Sequence, residues 1–215
     1  MSNVVPFNPL DKKNLGASVA EALLGSAVHP LGALPEFGGA GVYAIYYSGA
    51  FPAYKRLAEA NRAKPSVPIY VGKAVPAGAR KGGGLGDLPG KAIFKRLSEH
   101  AKSILAVENL NIEDFTCRYL SVDDIWIPLG ESLMIARFSP VWNSIVDGFG
   151  NHTPGKGRFE GMRPRWDVLH PGRDWAAKCK DREETVADIV RDVETYLREV
   201  RLPVSDRIIG QDVKS

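Results

Sequence analysis

Apolar and polar residues recur along this chain with two periods, and those periods predict its elements. Residues 9–25 place Leu15, Val19, Leu23 and Leu24 on one helical face, with Pro9 suited to an opening turn and Gly25 to a stop. Residues 26–40, rich in Gly and Pro, read as a connector. The β-branched and aromatic run 41–47 (GVYAIYY) predicts a strand. A short helix over 53–63 ends before Pro65, and a second strand covers 67–72 with Pro68 at its start. The helix predicted over 91–107 carries Ile93, Leu97, Ile104 and Leu105 as its apolar stripe. A third strand covers 115–120, and a helix over 128–138 opens at Pro128 and ends before Pro140. Residues 144–175 show no period. Residues 181–200 predict an amphipathic helix with Val186, Ile189, Val190, Val193, Leu197 and Val200 on its buried side, opened by a capping box from Asp181 and Glu184.

Strand, strand, helix, strand, helix is an α+β layout with a small mixed or antiparallel sheet flanked by helices. The intervals are too irregular for a doubly wound parallel sheet. The chain divides into an N-terminal helical extension (1–40), a core (41–150) and a C-terminal tail with a helix (151–215).

Composition narrows the class. At 215 residues, 44% hydrophobic and 25% charged, the chain can bury a sizeable core. No apolar run approaches the ~18 residues of a membrane span, and the first residues lack the plan of a signal peptide. Cys117 and Cys179 are too few for a disulfide framework. Cys117, on a strand, reads as a small core residue. The spacing of His152, His170 and Cys179 matches no zinc pattern. The expectation is a cytoplasmic protein without membrane contact or a small organic cofactor.

The net charge of +3 is concentrated in one place. Between Lys73 and Lys102, Lys73, Arg80, Lys81, Lys91, Lys95, Arg96 and Lys102 face only Asp87 and Glu99. A basic segment in a near-neutral chain points to a polyanionic partner. Much of it lies around the Gly-rich segment 74–90, which fits no regular element and reads as a long functional loop.

Five features carry the candidate chemistry. Gly41-Val42-Tyr43 opens one strand and Tyr70-Val71-Gly72 closes the next. Arg96 and His100 sit four apart on a helix and share a face. Glu131 lies on the following helix, and Asn143 ends Pro140-Val141-Trp142-Asn143. This order resembles the GIY-YIG nuclease superfamily, with Val for Ile in both tripeptides. The resemblance runs from Gly41 to Asn143. The long interval between the tripeptides, the 74–90 loop and the terminal extensions make the chain most similar to type II restriction endonucleases of that superfamily that cut CCGCGG.

The resemblance implies cleavage of double-stranded DNA with Mg2+, or Mn2+, as cofactor. Glu131 is the hard-metal ligand among the motif residues. Arg96 suits a phosphate oxygen. Tyr43 is the candidate base with nearby cations favouring its phenolate, and His100 is its proton acceptor or the alternative base. Tyr70 would orient water or phosphate, and Asn143 would hold the site together or touch phosphate. Lys73, Arg80 and Lys81, and in the tail Lys156, Arg158, Arg163 and Arg165, are the candidate DNA contacts. A palindromic site implies a homodimer, with the 9–25 or 181–200 helix as candidate interface. The competing expectations are a repair or mobile-element nuclease of the same fold, and a catalytically silent sequence-specific DNA-binding protein.

Overall fold

The computed structural model describes residue 8 and residues 11–76, 90–151 and 161–199. Its order is α1 (Lys12–Gly25), β1 (His29–Pro30), β2 (Gly41–Tyr47), α2 (Lys55–Asn61), β3 (Tyr70–Ala74), α3 (Ala92–Leu105), β4 (Phe115–Ser121), α4 (Ile127–Phe138), α5 (Val141–Ser144), α6 (Arg165–Leu169) and α7 (Val186–Glu199). The fold is α+β, as the pattern predicts. The four strands form one sheet in the order β1-β4-β2-β3, and every pairing is antiparallel.

β2 is the centre of the molecule. All seven of its residues are buried, so the sheet is covered on both faces. Successive strand residues point to opposite faces, and the core divides accordingly. Tyr43, Ile45 and Tyr47 join the cluster built with Ile93, Leu97 and Ile104 of α3, Trp142, Phe149, Trp166, and Ile189, Val193 and Leu197 of α7. Ala44 and Tyr46 face Ala20 and Leu23 of α1 and Met134 and Phe138 of α4. Much of the apolar stripe of α1 and of α7 is thus spent inside the chain, although Val186, expected on the buried side of the last helix, is 49% exposed. Arg118, buried on β4, donates to the carbonyls of Leu24 (2.7 Å) and Ser26 at the end of α1. A cation is favoured at a helix C-terminus, and this one ties α1 to the sheet.

Several boundaries and faces depart from the pattern. β1 lies in the stretch read as a connector; it is two residues long, too short for a periodic signal. β3 starts later and runs further than predicted, because Lys73 and Ala74 pair with Val42 and Gly41. On α3 the buried positions are Ile93, Leu97, His100, Ala101 and Ile104, whereas Leu105 is 63% exposed. The stripe is helical in spacing, but one of its members is a histidine. α6 interrupts the segment read as irregular. The last helix begins at Val186, and its capping box is Thr185 with Asp188, not Asp181 with Glu184. Thr185 N–H donates to Asp188 Oδ2 (3.0 Å), and Asp188 N–H donates to Thr185 Oγ1 (3.2 Å).

Candidate active site

The two tripeptides meet because β2 and β3 are hydrogen-bonded neighbours, with Tyr43 opposite Gly72. Their glycines have separate reasons. Gly41 has φ of +155°, and a Cβ there would lie 2.0 Å from Leu120 O. A Cβ on Gly72 would lie 2.4 Å from the Tyr43 hydroxyl. Gly72 thus vacates the space that the Tyr43 phenol occupies on the neighbouring strand.

Tyr43 is fully buried, and its hydroxyl lies 2.7 Å from His100 Nε2, the one buried polar group of the α3 stripe. With His100 Nε2 unprotonated, the Tyr43 hydroxyl donates and Nε2 accepts. The Tyr70 ring lies 5.1 Å from that of His100 and 6.3 Å from that of Tyr43. Burial raises the Tyr43 pKa well above the usual phenol value, Tyr70 adds to the rise, and the Arg96 guanidinium opposes it. Tyr70 is raised too, again mainly by burial against the pull of Arg96. In this state the cations expected to favour a phenolate do not prevail over desolvation, and both tyrosines are phenols at neutral pH.

Arg96 projects from α3 four residues before His100. It donates to Glu99 (3.1 Å) and to the carbonyl of Gly150 (2.6 Å). Phe149, beside Gly150, stacks on the His100 imidazole at 4.5 Å and 16°. The segment after Asn143, in which the sequence shows no pattern, therefore packs directly against the site.

Glu131 arrives from the other face of the sheet. It sits on α4 and pairs with Lys73 of β3 at 2.6 Å, with their side chains 19% and 41% exposed. Asn143 closes the free edge of β3: its Oδ1 accepts from Val71 N–H and its Nδ2 donates to Val71 O, both at 2.8 Å. A side-chain amide presents the donor and acceptor of a backbone amide, so Asn143 acts as one residue of a further strand. Trp142 N–H adds a bond to Ile69 O (3.0 Å). The six motif residues thus cluster around one strand edge. Tyr43, Tyr70, Arg96 and His100 come from one side, Glu131 comes from the other, and Asn143 lies between.

The basic residues divide. Lys73 belongs to this cluster. Arg80, Lys81, Lys156 and Arg158 lie outside the described residues. Arg163 bonds Ala176 O (3.1 Å) and Asp181 (2.9 Å). Arg165 bonds Ile145 O (2.8 Å), Glu184 (2.9 Å) and Asp192, its side chain 14% exposed. Arg165 fastens the tail to the body of the protein at Ile145, whereas Arg163 holds the tail to itself. His170, one of the residues tested above for zinc, belongs instead to a buried chain of polar groups. Trp142 Nε1–H donates to Tyr54 Oη (2.8 Å), Tyr54 contacts His170 Nε2 (2.8 Å), and His170 Nδ1 contacts Asn109 Oδ1 (3.0 Å).

A family model described as the Eco29kI GIY-YIG domain matches residues 35–197, well over half of the chain. The chain belongs to the Eco29kI GIY-YIG family. That family is one of type II restriction endonucleases, and Eco29kI itself cuts CCGCGG. No match to the chain was found among curated proteins. Membership of the Eco29kI GIY-YIG family makes this protein a nuclease that acts on DNA. The matched span ends within α7 and reaches past Asn143, where the resemblance read from motifs stops. It includes the tail that carries Phe149 and Gly150. Among the described residues no helix is long and apolar enough to cross a membrane, and no group of three or more His, Cys, Asp or Glu is gathered.

Proposed function

We propose that this protein is a metal-dependent restriction endonuclease that hydrolyses both strands of duplex DNA at CCGCGG as a homodimer. The observation that carries the cleavage reading is the Tyr43–His100 hydrogen bond of 2.7 Å, in one cluster with Arg96 and beside the edge that Glu131 approaches. The site sequence rests on membership of a family named for an enzyme that cuts there.

The donor set fits a hard divalent ion. Glu131 offers one partly exposed carboxylate, and Mg2+ takes one or two carboxylates with water and substrate phosphate. Bound at Glu131, Mg2+ or Mn2+ would relieve charge on the phosphate and on the leaving oxygen. Lys73, which neutralises Glu131 in this structure, would be freed to meet a DNA phosphate.

The protein's own groups manage the proton and the remaining charge. Tyr70 and Arg96 are partly exposed and meet the phosphate first. Arg96 holds a nonbridging oxygen with its fork, in place of Glu99. Tyr43 passes its hydroxyl proton to His100 Nε2 and takes a proton from the attacking water. The hydroxide forms the new P–O bond as the bond to the leaving oxygen breaks. Asn143 makes no proton transfer; it keeps β3, and with it Tyr70 and Gly72, in place. Arg80, Lys81, Lys156 and Arg158 are proposed to contact the DNA from segments flanking the site.

The test is digestion of a long phage DNA by purified protein, with magnesium or with EDTA. The reading expects discrete magnesium-dependent bands whose ends lie within CCGCGG, and loss of cleavage with retained specific binding in Glu131→Ala. A smear would indicate a nonspecific or repair-type nuclease. Intact DNA with a retained mobility shift would indicate a silent binding protein.

A further inference from the structure

The buried ion pair of Arg173 and Asp167 lies outside every motif, yet its geometry leads to the active site. Both side chains are almost entirely buried, at 4% and 1% exposure. Arg173 Nε donates to Asp167 Oδ1 at 2.6 Å and Nη2 to Oδ2 at 2.5 Å, a fork-on-fork pair. The guanidinium lies near the Trp166 and Trp175 rings, 4.4 and 4.7 Å from their centres. Its remaining donors reach three carbonyls of one short segment: Gly148 (2.9 Å), Phe149 (3.2 Å) and Asn151 (3.3 Å).

That segment is the one that touches the site. The carbonyl between the gripped ones, that of Gly150, accepts from Arg96 at 2.6 Å. A Cβ on Gly150 would lie 2.7 Å from the Tyr70 hydroxyl and 3.2 Å from Arg96. The backbone at 150 therefore has little freedom to move relative to either group. A planar guanidinium presents five donors in a fixed fork. Asp167 holds that fork rigid on one side, and the other side dictates where the carbonyls must lie.

We propose that Arg173 and Asp167 are positioning residues for DNA cleavage, acting on Arg96 through the backbone of residues 148–151. This rests on the nuclease reading above. The pair orients the Arg96 fork before substrate arrives, so that the guanidinium need not be ordered during the reaction.

The test compares single-turnover cleavage and metal-free DNA affinity in Arg173→Lys and Gly150→Ala, each made in the wild-type and in the Arg96→Lys background. Lysine keeps the charge and loses the fork. The alanine displaces the segment without touching the ion pair. Cleavage is expected to fall by about tenfold or more in the wild-type background, with affinity within about twofold. On the Arg96→Lys background Arg173→Lys should have almost no further effect, because the group it positions has already lost its fork; Gly150→Ala, whose Cβ also meets the Tyr70 hydroxyl, should keep part of its effect there.

Wild-type rates in the variants would overturn the proposal. So would equal losses in both backgrounds, which would mark a general effect on the fold. Should Arg173→Lys fail to fold, Asp167→Asn, which keeps the shape and removes the carboxylate that holds the fork, carries the same comparison. A wild-type protein that cuts no DNA would overturn the nuclease reading and this inference with it, an outcome distinct from an active wild type with indifferent variants.

Discussion

A single missing methyl group sets the depth of the Tyr43 phenol. Gly72 stands opposite Tyr43 in the β2–β3 register, and a Cβ there would fall 2.4 Å from the tyrosine hydroxyl. Gly72→Ala must push the ring away from His100 Nε2, and with it the proposed proton path. The expected result is a loss of cleavage of about a hundredfold, with DNA binding kept, measured by single-turnover assay beside a mobility shift. Tyr43→Phe should match it, since that variant keeps the ring and removes only the hydroxyl; a wild-type rate in Tyr43→Phe would remove Tyr43 as base. At this scale the order of motif residues was legible, because each is a distinct chemical type in a distinct element. The partners that tune them were not. The carbonyl of Gly150 on Arg96 and the Phe149 ring on His100 come from a segment without period, placed there by tertiary packing. The state of Tyr43 was also hidden, because its direction of shift depends on burial, and burial here outweighs the nearby guanidinium.

Helices and strands were legible where apolar residues repeat, and misjudged where something other than apolarity decides. The stripe of α3 runs through His100, which tolerates burial because the Tyr43 hydroxyl satisfies it. A hydrophobicity pattern places Leu105 there instead, and Leu105 is largely exposed. The start of α7 shows the same limit. Asp181 and Glu184 have capping-box spacing, but Thr185 and Asp188 make the reciprocal bonds. Those bonds and Arg191 hold the Asp188 carboxyl down at about 2. The two caps can be separated by denaturant unfolding. Thr185→Ala should cost about 1 kcal/mol, the usual value of an N-cap side chain. Asp181→Ala removes only an exposed pair with Arg163, its own side chain 83% exposed, and should cost well under that. The reverse order would return the cap to Asp181. α7 is no appendage in any case. Ile189, Val193 and Leu197 are buried, and each contributes roughly 1.5–3 kcal/mol, against a net stability of order 5–15 kcal/mol for a whole domain.

The sheet, α1, α4 and the tail share one packed body, so stability and catalysis depend on residues far apart in sequence. His170 shows this for stability. Burial and the charge of Arg173 lower its pKa from 6.5 to about 3, so the native protein holds it neutral. An unfolded chain protonates this histidine below pH ~6.5. The stability it confers is therefore fully present above that pH and declines as pH falls towards its native value, by up to about 1.4 kcal/mol per unit. Urea unfolding between about pH 7 and 5 should show that slope, and His170→Gln should lack it; equal slopes would place the acid sensitivity elsewhere. Assembly is the second question at this scale. Each chain holds one Tyr43–Arg96–Glu131 constellation, so proposed cleavage of both strands of a palindrome calls for two chains. Much of the apolar face of α1 and α7 packs within the chain, at Ala20 and Leu23 and at Ile189, Val193 and Leu197, while Val186 stays 49% exposed. Pairing through either helix would use the positions that this packing leaves exposed. A plasmid with one CCGCGG site separates the possibilities. Wild-type protein should convert it to linear DNA, and its mass in solution should be twice 23.4 kDa. Mixed dimers of wild-type and Glu131→Ala chains should stop at the nicked circle, because only one of the two strands then meets a complete site. Linear DNA from the purified mixed dimer, or a wild-type monomer that cuts both strands in one encounter, would defeat the two-chain reading.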